Sequence, residues 1–385
     1  MPRRESAHAR CRLLMRPPRP NTGHPDVYRL PCRDDQTRLV CDIRGHDPWR
    51  SGYKERMRSQ EPVLVLGLDI GGTTSRALVG DLSGRALGTG SAGGGNPNSH
   101  PPERAAAQVA AAAADALRGL DPASVRAGVL GMAGASKMTD PAVAELFRNE
   151  WSALGLTCPM RVVGDVEVAF AAGTPEPGGT VVIAGTGSVA ARIEDHRLVA
   201  SAGGHGWLLG DEGSAFWLGR EAVRATLHAL DRGRTDGDLV TAVLDELVDD
   251  RSRDEPPAVR NRLITAVNSA PPIRLAELAP LVTRTAGSGD EAATAIVRSA
   301  ARLLADTASI TRPPGDTSPV VLAGGLVGAG NPVGDALRAE LAERFGAEPR
   351  TAGPGAAGAA WLAAVGLAAP ADLPTLHKQF LSAQG

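Results

Sequence analysis

Three short apolar segments, each followed directly by a glycine-containing turn, limit what this chain can fold into more than any other feature. The turns lie at residues 69–74, 185–188 and 324–325. Apolar runs of about four to eight residues bounded by turn residues are typical of buried strands. Strands of this kind alternate with segments of helical spacing, which predicts an α/β protein. Because the strand–turn–strand opening occurs twice, the sequence also predicts two related halves facing a cleft.

The glycine turns are candidates for binding a nucleotide. Glycine lets the backbone approach a phosphate and leaves N–H groups directed at it, and threonine hydroxyls can donate to phosphate oxygens. Each turn alone could be an ordinary hairpin or a tight packing point, but three in this order favour a nucleotide site. The candidate phosphate- and nucleotide-binding residues are Gly71, Gly72, Thr73, Thr74, Gly185, Thr186, Gly187, Gly324 and Gly325.

Several function classes are excluded or disfavoured by what the sequence lacks. There is no G-x-x-x-x-G-K-[ST] motif, and none of the three lysines lies in a glycine-rich turn, which excludes a P-loop site. A formal charge of −2 gives no broad attraction to nucleic acid or membrane. No apolar run approaches the ~18 residues of a spanning helix. Four cysteines without a close pair disfavour a zinc module and favour a cytoplasmic location.

Residues 1–60 differ from everything after them. They carry both tyrosines, three of the four cysteines and many arginines and prolines, without strand or helix periodicity. Such a segment buries too little apolar surface to offset its ordering entropy. We expect a disordered extension, or upstream sequence included by a wrong start codon, since Met57 lies a few residues ahead of the first predicted strand. A secretion signal and a helix-turn-helix module both fit the segment poorly.

Two aspartates at predicted strand ends are candidates for chemistry. Asp69 follows the first apolar segment, where its carboxylate could hold Mg²⁺, which prefers oxygen ligands and keeps much of its hydration. Asp165 follows a short predicted strand at residues 160–163, and α/β proteins place cleft residues at the carboxyl ends of strands. The alternative role for Asp165 is that of a helix N-cap.

The densest cluster of glycine, histidine, tryptophan and acidic residues lies at 203–217. Carbohydrate sites combine carboxylates and amides for the hydroxyl groups with an aromatic face for the C–H side of the ring. The alternatives are that Trp207 and Trp217 are core aromatics, and that Asp211 or Glu212 only stabilises a helix N-terminus near Ser214.

With this cluster the chain resembles the eukaryotic-type N-acetylglucosamine kinases and their bacterial relatives, in one superfamily branch with the activator ATPases of 2-hydroxyacyl-CoA dehydratases. The similarity extends over about residues 63–367, and its most specific part is Gly-Asp-Glu-Gly-Ser-Ala-Phe-Trp at 210–217. The resemblance implies two actin-like (ribonuclease H-like) domains with mixed sheets flanked by helices and ATP in the cleft between them. We expect these domains at 61–176 and 177–355, with a C-terminal helix and tail at 356–385 that returns to the first domain.

The resemblance also implies an ATP- and Mg²⁺-dependent kinase that phosphorylates an amino sugar, N-acetylglucosamine at O6 in the first instance, and a homodimer. Asp165 matches the catalytic base, and Asp69 lies near the metal. The order of His205 and Trp207 is reversed relative to the mammalian enzymes, which leaves open which of them contacts the sugar. The residues that match sugar contacts are Asn96 (with Asn98 as its alternative), Gly203, Gly204, His205 and Asp211.

Three alternatives to this function remain at the level of sequence. A kinase for glucosamine, glucose or another hexose would use the same residues. A dehydratase activator requires an iron–sulfur cluster on cysteine thiolates, and Cys158 is the only cysteine after residue 60. A sugar sensor on the same fold should carry a DNA-reading module, which residues 1–60 do not resemble.

Overall fold

A computed structural model of the protein describes residues 62–248, 255–346 and 348–382. The extension predicted at residues 1–60 lies outside them. Within these ranges the strands are β1 (Leu64–Ile70), β2 (Thr74–Asp81), β3 (Ala86–Gly93), β4 (Val125–Met132), β5 (Met160–Gly164), β6 (Gly179–Ala184), β7 (Ser188–Glu194), β8 (Arg197–Gly203), β9 (Val320–Ala323) and β10 (Arg350–Thr351).

The helices of these ranges lie between and after the strands, with short 3₁₀ turns between some of them. No helix in this part of the chain is both long and apolar enough to cross a membrane. The α-helices are α1 (Pro102–Ala116), α2 (Pro141–Ala153), α3 (Asp165–Ala171), α4 (Ala215–Asp231), α5 (Asp238–Leu247), α6 (Pro256–Ser269), α7 (Ala279–Gly287), α8 (Glu291–Thr311), α9 (Pro332–Phe345), α10 (Gly355–Ala364) and α11 (Leu373–Ser382).

The strands form two five-stranded sheets with the same plan. The first has the order β3-β2-β1-β4-β5 and the second the order β10-β9-β6-β7-β8. In each sheet an antiparallel meander (β1–β2–β3 or β6–β7–β8) continues into two strands parallel to its first strand. Two mixed sheets flanked by helices confirm the predicted α/β class and the two related halves. We call each sheet with the helices packed on it a lobe.

Helix α3 joins the two lobes because it is apolar on both sides. Val166 and Phe170 belong to an apolar cluster with strands β6, β7 and β9 of the second sheet. Val168 and Ala171, on the other side, pack with strands β1 and β4 of the first sheet. The first residue of this helix therefore lies where the two lobes meet.

Helix α10, near the end of the chain, crosses the first sheet at β1 and is buried along its length. A Cβ atom at Gly67 would lie 2.1 Å from the backbone nitrogen of Ala360, so only glycine lets the two backbones approach this closely. Trp361 is fully buried, and its indole N–H donates to the Leu373 carbonyl at 3.1 Å. The first lobe is completed by helices from the C-terminal end of the sequence.

The sequence does not identify strands β3 and β8, each of which lies at one edge of its sheet. Both lack the alternation of apolar and polar residues that identifies a half-buried strand. Strand β8 is exposed over its first five residues, including Leu198 and Val199. Strand β3 contains glycines that pack closely on α1, as at Gly90, where a Cβ atom would lie 2.1 Å from the Ala112 carbonyl oxygen. Their pairing is decided by neighbouring strands rather than by their own side chains.

Candidate active site

In the structure Asp69 and Ile70 belong to β1, so the first turn is confined to residues 71–74 and closes the β1–β2 hairpin beside Asp69. The Gly71 amide donates to the Thr74 carbonyl at 2.9 Å, and Thr73 is exposed at the tip. Arg76 lies directly opposite Asp69 in the register of the two strands. Arg76 is thus the cross-strand neighbour of the carboxylate that the sequence assigned to the metal.

Asp69 and Asp165 come together at one edge of the first sheet. Their strands, β1 and β5, run parallel on either side of β4, so the two carboxyl ends meet there. Burial raises the pKa of Asp69, the charge of Asp165 raises it further, and Arg76 lowers it in part. Burial also raises the pKa of Asp165, whose Oδ1 accepts a hydrogen bond from the Val166 amide at 3.0 Å. A half-buried carboxylate with a raised pKa is a suitable proton acceptor.

Helix α10 begins directly against Asp69. A Cβ atom at Gly355 would lie 2.3 Å from Oδ2 of Asp69 and 2.5 Å from its Cγ, so a glycine is needed there to leave space for the carboxylate. The helix N-terminus also favours a negative charge at this place. Sequence analysis missed Gly355 and Arg76, because their relation to Asp69 depends on sheet register and on a contact distant in sequence.

The second turn, residues 185–188, is held by the segment 211–216. Asp211 has a left-handed backbone (φ 56°), and its Oδ1 accepts from the Ser188 amide at 3.2 Å. The Ser188 hydroxyl donates to the Glu212 carbonyl at 2.8 Å. The Ala215 amide donates to the Gly185 carbonyl at 2.8 Å, a third hydrogen bond between the same two segments. The sequence predicts Asp211 as a sugar contact. In the structure its carboxylate accepts a hydrogen bond from the second turn, and the contact to the sugar stays a prediction.

The glycine loop after β8 lies beside the same turn. Gly203 and Gly204 have positive φ angles of 76° and 69°, and the Gly204 amide donates to the Ser188 carbonyl at 2.8 Å. His205 is exposed. Trp207 is 37% exposed and its ring centroid lies 5.7 Å from that of Phe216. Both candidate sugar contacts in this loop therefore remain accessible.

The third turn lies against the second. Gly324 has a φ of 100°, and a Cβ atom there would lie 2.3 Å from the carbonyl oxygen of Ala184, the residue before the second turn. The Leu326 amide donates to the same carbonyl at 3.2 Å. Parallel pairing of β6 with β9 thus brings together two of the three predicted nucleotide turns.

Asn96, the predicted sugar contact of the first lobe, is buried and already partnered. Its Nδ2 donates to the Ala133 carbonyl at 3.0 Å, and its Oδ1 accepts from the Asn98 amide at 2.8 Å. The side chain of Asn98 is exposed and donates to the Gly134 carbonyl at 3.0 Å. The structure places both asparagines against the residues that follow β4, the strand between β1 and β5, whose ends carry Asp69 and Asp165.

The arrangement suits the Mg²⁺ of a nucleotide complex. In the part of the chain that the structure describes, no three carboxylate, imidazole or thiolate side chains could hold a metal among themselves. Mg²⁺ bound to ATP does not need such a set, because it keeps waters and phosphate oxygens and takes one or two carboxylates. Asp69, with Asp165 nearby, supplies oxygen donors of this kind.

Comparison with known proteins identifies the family. Residues 66–363 match the BadF/BadG/BcrA/BcrD ATPase family. An N-acetylmuramic acid/N-acetylglucosamine kinase of Clostridium acetobutylicum is 36% identical over 104 residues, a match that spans 27% of this chain and 33% of the relative. An N-acetyl-D-glucosamine kinase of Dictyostelium discoideum is 26% identical over 297 residues, which are 73% of this chain and 91% of the relative.

Among solved structures, a candidate N-acetylglucosamine kinase of Chromobacterium violaceum is similar, with a TM-score of 0.61 and 28% identity over 78% of this chain and 99% of that one. The family match covers well over half of the sequence and includes all three glycine turns, Asp165 and the segment 203–217. This chain belongs to the BadF/BadG/BcrA/BcrD ATPase family.

Proposed function

We propose that this protein transfers the γ-phosphate of ATP to a hydroxyl group of N-acetylglucosamine, at O6. The observation that carries the proposal is the meeting of Asp69 and Asp165 at one sheet edge, where burial raises the pKa of both carboxyl groups. Relatives in Clostridium acetobutylicum and Dictyostelium discoideum whose names include this activity support the choice of sugar. The family name supports the use of ATP.

Asp165 is the catalytic base in this proposal. Its carboxylate accepts the proton of the attacking hydroxyl while that oxygen forms a bond to the γ-phosphorus and the bond to the β-phosphate oxygen breaks. The products are the sugar phosphate and ADP. Phosphoryl transfer depends mainly on positioning and charge stabilisation, and a positioned base contributes roughly 10²–10⁴ in rate.

The phosphates lie between the first and second turns, near Thr73 and Thr186, and the adenosine lies towards Gly324 and Gly325. Mg²⁺, held near Asp69 through water, neutralises charge on the transferred phosphate when it is bound. Asn96 or its neighbour Asn98 positions the acceptor from the first lobe, and the loop at 203–205 positions it from the second. Closure of the two lobes excludes water that would otherwise hydrolyse ATP.

We further propose that the protein acts in the cytoplasm, where ATP is available, as a homodimer. Light scattering of the purified full-length chain tests the dimer, since a mass of one chain at assay concentration contradicts it.

A coupled ADP-release assay with Mg²⁺-ATP tests the proposed reaction. The acceptors are N-acetylglucosamine, glucosamine, N-acetylmannosamine and glucose. We expect the highest kcat/KM with N-acetylglucosamine. Preference for another sugar would correct the acceptor, and absence of sugar-dependent ADP release despite bound ATP would refute the kinase.

The variant Asp165→Asn tests the assigned base. We expect it to fold normally and to lose about 10²–10⁴ in kcat, because the amide cannot accept the proton. Asp140→Asn is a matched control: Asp140 precedes α2 and its Oδ1 accepts from the Ala142 amide at 2.9 Å, far from the turns in sequence. Near-normal turnover by Asp165→Asn would show that another group is the base.

A further inference from the structure

The segment from Gly93 to His100, which leaves strand β3, is packed directly on the first turn. A Cβ atom at Gly94 would lie 2.0 Å from the Gly72 carbonyl oxygen and 2.5 Å from Nε2 of His100. The Ser75 hydroxyl donates to the Gly93 carbonyl at 2.8 Å and fixes the start of the segment to β2. The turn and the segment are therefore one packed unit.

His100 makes the one polar side-chain contact to the first turn that the described residues provide. Its Nε2 lies 2.6 Å from the Gly72 carbonyl oxygen. A carbonyl oxygen can only accept a hydrogen bond, so Nε2 carries the hydrogen. This requirement is met by the neutral Nε2–H tautomer and by the imidazolium form alike.

Holding the Gly72 carbonyl also fixes the direction of the next amide. The described chain has no cis peptide bonds, and in a trans peptide the C=O and N–H groups point in opposite directions. With the carbonyl of Gly72 directed to His100, the N–H of Thr73 is directed away from it. Thr73 is exposed, and its amide has no hydrogen-bond acceptor among the described residues. This N–H is thus free to donate to a ligand.

The same segment reaches the proposed acceptor site. Asn96 and Asn98 bind the carbonyls of Ala133 and Gly134 at the end of β4, and the His100 amide donates to the Asn96 carbonyl at 3.1 Å. The main-chain amide of His100 therefore contacts Asn96, at the proposed acceptor site, and its imidazole contacts Gly72, in the proposed phosphate-binding turn.

We propose that His100 is a positioning residue that orients the Gly72–Thr73 peptide so that the Thr73 amide donates to the transferred phosphate. The inference rests on the proposed function in that the first turn must bind phosphate. It adds a residue that no sequence motif indicated, and it links the acceptor segment to the phosphate turn through one imidazole.

Two substitutions of this residue separate the hydrogen bond from the volume of the ring. In His100→Gln the amide nitrogen takes the place of Nε2, whereas in His100→Asn the side chain is too short to reach the Gly72 carbonyl. We expect His100→Asn to weaken binding of the non-hydrolysable ATP analogue AMP-PNP with Mg²⁺ about three- to tenfold, the effect of one hydrogen bond. The KM for Mg²⁺-ATP should rise by the same factor with little change in the KM for sugar, and His100→Gln should restore both.

Calorimetric titration measures AMP-PNP binding without turnover, so it remains informative if no sugar is phosphorylated. The control is His228→Asn, the same substitution at an exposed histidine of α4, which should leave the affinity for the analogue unchanged. Unchanged affinity in His100→Asn, or an equal loss in His100→Gln, would overturn the proposal. If His100→Asn does not fold, the wild-type protein is titrated with AMP-PNP and followed by NMR. The amide resonance of Thr73 must then shift on saturation, and an unchanged resonance refutes the assignment.

Discussion

Replacing Gly355 with alanine should displace the Asp69 carboxylate while leaving the aspartate itself in the sequence. The added Cβ atom would lie 2.3 Å from Oδ2, whereas ordinary contacts begin near 3.4 Å, so the two atoms must separate by about 1 Å. Helix α10 is held in place on both sides. Gly67 lies against the Ala360 nitrogen, and a Cβ atom at Gly358 would lie 2.6 Å from the Val168 carbonyl oxygen. The carboxylate is the group that moves.

The expected size of the effect follows from that displacement. A shift of about 1 Å in a catalytic group can cost about 10²-fold in rate, or roughly 2.7 kcal/mol of transition-state stabilisation. Local overpacking should also reduce the free energy of unfolding by about 1–3 kcal/mol. Because Asp69 is proposed to act on Mg²⁺ through water, the concentration of Mg²⁺ needed for half-maximal rate should rise as well.

The assay is sugar-dependent ADP release measured over a range of Mg²⁺ concentrations. Gly366→Ala is the control, because Gly366 follows the same helix and a Cβ atom there meets nothing within 4 Å. It should behave as the wild type. If Gly355→Ala keeps its kcat/KM within about threefold of the wild type and an unchanged Mg²⁺ requirement, the reasoning that places Asp69 in the reaction is refuted.

Two more predictions concern the groups around the turns. Burial raises the pKa of Asp165 above the ordinary value of 3.8, and a base must be unprotonated, so kcat/KM should fall on the acid side with a midpoint above 3.8. A pH profile of the wild type measures this, and an acid limb at or below 3.8 would contradict it. Asp211→Ala removes the acceptor of the Ser188 amide, a bond to a charged group worth about 1.5–3 kcal/mol, and should raise the KM for Mg²⁺-ATP about tenfold or more. A rise confined to the KM for the sugar would contradict this and would support the predicted role of Asp211 as a sugar contact.

The elements that the sequence predicted best are those whose signal is local. The apolar strands β1, β6 and β9 and the turns after them are readable because burial on both faces requires a continuous apolar run and a tight turn requires glycine. The same reading placed Asp69 and Asp165 at strand ends, and sheet order then brought them together. Their roles as metal-side residue and base stay predictions until the variants are measured.

The features that sequence reasoning missed depend on contacts distant in the chain. Nothing near His100 indicates that its ring reaches the Gly72 carbonyl, and nothing near Gly355 indicates that Asp69 lies against it. Asp211 illustrates a different difficulty. An acidic residue in a glycine-rich loop suits a sugar hydroxyl or a backbone amide equally well, and only the fold shows that its partner is the Ser188 amide.

The crossing of α10 over the first sheet has a consequence for how the chain is made. The apolar face of that sheet that contains Val65 and Leu78 is covered by residues 356–364 and by Phe380. On the ribosome the strands of this face are synthesised before the second lobe, and the helices that cover them are synthesised after it. The strands and helices of the second lobe all lie within one continuous stretch, 179–351. N-terminal domains usually fold first during synthesis, but the first lobe of this chain cannot complete its fold before the second lobe has been synthesised. The first lobe must wait, with an apolar surface exposed, until residues 356–380 have been translated.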